Sequence, residues 1–114
     1  MQNSVNKKYG LHGKLTAQPG KGDELADILL QASELLKTAQ GCHLYVISKD
    51  KQTAENVWVY EVWDSKDAHN NSLHVEGVRE LIGKAIPILA GQPEKGMEFT
   101  VLGGTGLNEQ TIRQ

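Results

Sequence analysis

Apolar and polar residues alternate from Lys8 to Ala17, with Tyr9, Leu11, Leu15 and Ala17 on one face and Lys8, His12, Lys14 and Thr16 on the other. This period of two predicts a first strand. Gly10 and Gly13 interrupt it, and glycine inside a strand marks a bulge or the close approach of another group. Beyond the turn Pro19-Gly20-Lys21-Gly22 the spacing changes. Leu25, Ile28, Leu29, Ala32, Leu35 and Leu36 form the single stripe of an amphipathic helix. Asp23, Glu24 and Asp27 suit the start of its dipole, Lys37 suits its end, and Gly41 is placed to cap it.

Cys42–Lys49 and Asn56–Trp63 read as two further strands, joined by a polar connector of hairpin length, Asp50 to Glu55. Both are apolar on both faces. In the later one Trp58, Tyr60 and Val62 share one side, while Val57, Val59, Glu61 and Trp63 share the other. Asp64 or Ser65 can cap a short helix from Lys66 to about Ser72, and Leu73-His74-Val75 makes a joint. Val78, Leu81, Ile82, Ala85 and Leu89 line a second amphipathic helix, which Pro87 must kink or end. Met97, Phe99 and Val101 alternate with Glu98, Thr100 and Leu102 in a last strand, closed by Gly103-Gly104.

The order predicts an α+β fold of the ferredoxin-like βαββαβ kind, an antiparallel four-stranded sheet with helices on one face. Strands apolar on both sides must be covered on both sides. The second sheet face is therefore expected to pack on a second copy, giving a homodimer. Residues 1–7 are expected to be a flexible N-terminus, 8–104 the domain, and 105–114 a tail. Leu107 and Ile112 in that tail lack a local core and are expected to reach the partner subunit.

Composition narrows the function classes. The 114 residues suit one core, and a net charge of −2 without a basic run argues against nucleic acid or an anionic membrane surface as partner. No apolar run approaches the ~20 residues of a membrane span, and no leader pattern is seen, so a cytoplasmic protein is expected. Cys42 is the only cysteine, which excludes an intrachain disulfide and a cysteine-based metal site. His12, His43, His69 and His74 form no HExxH and no i, i+4 pair, so no metal is expected. Gly-x-Ser-x-Gly is absent, and Gly103 to Gly106 lacks the Lys-Ser/Thr of a phosphate loop.

What remains is a set of aromatic, Glu and His residues. Trp63 ends its strand where the short helices begin, Glu61 precedes it on the same face, and His74 at the joint is expected to fold back over the sheet. Tyr45 and His12 are offered by neighbouring strands. An apolar cavity with a few polar groups is the usual form of a small-molecule site. Residue type alone also allows Trp63 as core, His74 as a helix-end group and Glu61 as an edge or interface residue. His69 reads as belonging to a solvated helix face.

The run Tyr60-Glu61-Val62-Trp63-Asp64-Ser65-Lys66-Asp67-Ala68-His69, continuing to Ser72-Leu73-His74, resembles the antibiotic biosynthesis monooxygenase family. Members show a Tyr-Glu-x-Trp strand end, a short acidic helix with an Ala, and a His at the next helix start. The resemblance covers about residues 8 to 104. It implies a dimeric α+β barrel and a cofactor-independent monooxygenase acting with molecular oxygen on a small aromatic quinol or anthrone. The substrate supplies the electrons, and the protein supplies a base, aromatic walls and exclusion of water, without metal or flavin. By the same resemblance Trp63 and His74 are the expected catalytic residues; the reading of the pocket from its own residues adds His12, Tyr45 and Glu61 as substrate-binding. Haem-degrading relatives use an Asn on the first strand, where this chain reads Leu11-His12-Gly13-Lys14. An isomerase branch would want several basic pocket residues, and only Lys14 is near. A dimeric binding module without turnover is the reading from a different class.

Overall fold

The computed structural model of the protein describes residues 7–107. The expectations for the first six residues and for Ile112 lie outside them. Four strands, β1 (Lys8–Thr16), β2 (Cys42–Lys49), β3 (Asn56–Trp63) and β4 (Met97–Val101), form one antiparallel sheet in the order β2-β3-β1-β4. Helices α1 (Gly22–Leu36), α2 (Lys66–Asn71) and α3 (Val78–Ala85) complete the βαββαβ order, with 3₁₀ turns at Ser72–His74 and Ile86–Ile88. This is the expected α+β, ferredoxin-like fold.

Register explains which side chains meet. Tyr9 pairs with Trp63, Leu11 with Glu61 and Leu15 with Val57, while Tyr45 on β2 also faces Glu61. These residues share the sheet face that meets the helices. There Leu25, Ile28, Leu29 and Ala32 of α1 pack with Val57, Val59, Leu81 and Ala85, all buried. A second cluster joins Leu36, Trp63 and Val78 at the other end.

The helix boundaries follow local chemistry. Ser65 accepts a hydrogen bond from the Ala68 amide at 3.1 Å and so caps α2, as its place in the sequence predicts. Pro87 lies in the 3₁₀ turn where α3 gives way, again as predicted. Gly41 does not play the capping part its position suggests, because α1 ends at Leu36 with Lys37 as its C-cap. Its φ of +86° serves the turn into β2, where it lies close under Ala68 and Asp64.

The opposite sheet face carries His12, Trp58 and Tyr60 in ring contact, His12 lying 5.2 Å from Trp58 and 5.5 Å from Tyr60. Around them Val46, Phe99 and Met97 are 45%, 41% and 64% exposed. Gly10 sits beneath this face because a Cβ there would stand 2.7 Å from Val101 Cγ2 and 3.6 Å from the Tyr60 hydroxyl. None of the described helices is long and apolar enough to cross a membrane.

Candidate active site

Between the sheet and the helices lies a cavity of about 310 Å³. Most of its wall is aliphatic, supplied by β1, α1, α3 and the 3₁₀ turn after α3. Its polar lining side chains, Tyr45, Glu61, His69 and Ser72, are contiguous. Tyr45 and Glu61 are register partners, His69 Nε2 lies 3.6 Å from Glu61 Oε1, and the Ser72 hydroxyl donates to the His69 carbonyl at 2.6 Å. An apolar cavity with one polar cluster is a site that orients a ligand by one end.

Glu61 is the centre of the cluster. Its side chain is 12% exposed and that of His69 27%. Trp63 is fully buried and donates its indole N–H to Glu61 Oε1 at 2.9 Å, fixing the carboxylate. The His69 ring meets Trp63 edge-on at 5.8 Å and Tyr9 at 5.9 Å. Burial pushes the Glu61 carboxyl above its ordinary value, against the pull of the Trp63 N–H and of His69. Burial also pushes the Tyr45 phenol up, aided by the nearby Glu61.

The Tyr9 phenol is pushed up to about 12, by loss of water first and then by its hydrogen bond to Glu98. That bond is 2.7 Å long, and Lys66 reaches the same Glu98 oxygen at 3.0 Å. A polar link thus runs from β4 to the start of α2, the helix that carries His69. α2 itself has no buried residue, and these polar contacts add to the packing of Ala68 against the Leu36, Trp63 and Val78 cluster in holding it.

The structure brings together three of the five residues expected from sequence, Trp63, Glu61 and Tyr45, and separates two. His12 pairs with Tyr60 in the register and so projects from the opposite sheet face, because side chains one residue apart on a strand point apart. His74 is exposed at the end of its 3₁₀ turn and lines a different cleft, with Asp64, Asp67 and Asn71. His69 takes the place at the cavity that His74 was expected to fill. Its signal was present in the sequence. Ser72 and Leu73 follow it at i+3 and i+4, the spacing of one helix face, and both line the same cavity. Among the described residues no three His, Cys, Asp or Glu side chains gather as a metal site would require.

Two variants test this account of Glu61. Trp63→Phe keeps an aromatic ring but leaves the buried carboxylate without its donor. It should cost about 2 kcal/mol of stability, read from the urea midpoint. Glu61→Gln tests the buried charge. The folded state holds the Glu61 proton more tightly than the unfolded chain, so its contribution to stability is full below the unfolded value. That contribution is lost as pH rises through the folded one. Glutamine stays neutral throughout, so Glu61→Gln should raise the melting temperature at pH 7, with the gain vanishing at about pH 4.

The geometry can be set beside known proteins. No curated protein matches the chain. The profile of the antibiotic biosynthesis monooxygenase family matches residues 9–83. Among solved structures, a Chloroflexus aurantiacus J-10-fl protein named for this family is 34% identical, with a TM-score of 0.79 over 88% of this chain and 98% of that one. A Caulobacter crescentus CB15 protein named for the same family is 22% identical, with a TM-score of 0.73 over 83% and 90%. A Nitrosomonas europaea protein of unknown function, 21% identical, shares the fold with a TM-score of 0.73 over 89% and 95%. The strand-end Tyr60-Glu61-Val62-Trp63 lies within the matched span, and with the sheet order and the Chloroflexus match it settles the assignment: the chain belongs to the antibiotic biosynthesis monooxygenase family.

Proposed function

We propose that this protein is a cofactor-independent monooxygenase that oxidises a small phenolic aromatic, quinol or anthrone in kind, with molecular oxygen. The observation that carries the reading is the Glu61–His69 pair, 3.6 Å apart at the polar end of an otherwise apolar cavity. A phenolic hydroxyl entering there meets a base pair able to take its proton, with the Tyr45 hydroxyl beside it. In an apolar enclosure the resulting anion is electron-rich and poorly hydrated, the state in which it passes electrons to oxygen. For an anthrone the balance is simple. Two C–H bonds of the ring CH₂ and the O–O bond break, one oxygen becomes the new carbonyl, and the other leaves as water with the two hydrogens.

His69 is the base in this scheme, Glu61 its partner, and Trp63 a positioning residue that holds Glu61. Oxygen uptake with reduced naphthoquinols and anthrones tests it. Uptake well above autoxidation, lost in Glu61→Gln and His69→Gln, is expected. Uptake equal to the blank with every compound would leave a binding module without turnover.

The same reading includes a homodimer formed through the second sheet face. Its support is the exposed apolar set Val46, Met97 and Phe99 around Trp58 and Tyr60. Phe99→Asp places a charge in that face and should convert the dimer to a monomer, read as a halved mass by sedimentation. A native protein that sediments as a monomer would refute this part.

A further inference from the structure

The cavity is polar at one end only, and it is long. Glu61 and Val57 lie four residues apart on β3, about 13 Å along the strand. Leu15, the register partner of Val57, still lines the cavity. Along that length the wall is hydrocarbon, with Ile28, Leu29, Leu81, Ala85 and Leu89 among its residues. Its exposed lining includes Leu73, Ile82 and Ile86, which are 43%, 39% and 59% exposed and give the entrance an apolar lip. A compact ring bearing hydroxyls all round would bury several of them against hydrocarbon, and each buried hydroxyl without a partner is costly.

From this one-ended, elongated cavity we infer that the ligand is an elongated phenol, with its hydroxyl at Glu61 and His69 and an apolar chain reaching toward Leu15. The inference rests on the site proposed above and adds the shape and polarity of its substrate. Beyond one aromatic ring at the polar end, the remaining length takes a chain of roughly four to six carbons.

Calorimetric titration of the native protein with 4-alkylphenols, from methyl to octyl, tests it without requiring turnover. Affinity should rise about fourfold per methylene as each is buried, and then level off near hexyl. Phloroglucinol, a ring with three hydroxyls spread around it, should bind more weakly than 4-methylphenol. Glu61→Gln should weaken the whole series by a constant factor and leave its slope intact. A flat series in which 4-methylphenol binds as well as its hexyl homologue would overturn the elongated site while leaving the monooxygenase reading standing. A slope with no response to Glu61→Gln would overturn the placement of the hydroxyl, and with it the proposed role of the Glu61–His69 pair.

Discussion

His69→Gln is expected to lower oxygen uptake by about a hundredfold or more while the protein stays folded. A positioned general base contributes on the order of 10² to 10⁴ in rate, and glutamine keeps a polar group of similar size without the basicity. Because the His69 ring also packs on Trp63 and Tyr9, the melting temperature of the variant is measured beside the rate, and a fall in rate with the fold intact is the expected result. The parallel variant His74→Gln should leave the rate unchanged, since that ring is exposed and lines another cleft. Rates that fall with His74→Gln and not with His69→Gln would reverse the assignment.

Gly22→Ala is expected to destabilise the protein by about 3 kcal/mol, at the upper end of the cost of overpacking. For a domain of this size that lowers the melting temperature by roughly 10 to 20 °C. Gly22 opens α1, and a Cβ there would stand 2.1 Å from the Ala54 carbonyl oxygen, 3.0 Å from its carbon and 3.2 Å from Glu55 Cα. All three are backbone atoms, so no side-chain rotation relieves the contact. The loop from Asp50 to Glu55 would have to move, together with the Glu55 carbonyl that accepts from the Ala17 amide at 2.8 Å. Gly20→Ala, two residues earlier, meets nothing within 4 Å and answers only to its φ of +80°, so it should cost less. Equal losses in the two variants would show that contact with Ala54 adds nothing to the requirement for glycine at position 22.

The two variants also mark what was legible in the chain. Alternation over Asn56–Trp63 places Glu61 and Trp63 on one face by parity alone, and the stripe from Leu25 to Leu36 places α1 across it. Parity equally placed His12 with Lys14, away from Leu11. Assigning it to the cavity overrode the pattern, and the register with Tyr60 returns it to the outer face. The choice between His69 and His74 depended on how the chain leaves β3. That path is set by the Asp64 amide donating to the Gly41 carbonyl at 2.8 Å, a contact between segments 23 residues apart that no local spacing encodes. The requirement at Gly22 was hidden for the same reason, because its neighbour Ala54 lies on a connector that arrives only once β2 and β3 have paired.

A helix that carries the proposed base yet buries no residue has a consequence for motion. Stability is unevenly spread through a protein, and segments with few buried contacts open at low free-energy cost, well below global unfolding. α2 is held by its Ser65 cap, the Lys66–Glu98 ion pair, the packing of Ala68 on the Trp63 cluster and the contacts of His69 with Glu61, Trp63 and Tyr9, while β1 and β3 lie in the middle of the sheet. Amide hydrogens of residues 66–71 should therefore exchange with solvent while those of the central strands remain protected. A local opening of this kind would lift His69 from Glu61 while the sheet stays paired, so the proposed base would ride on a segment that opens independently of the rigid wall of the cavity.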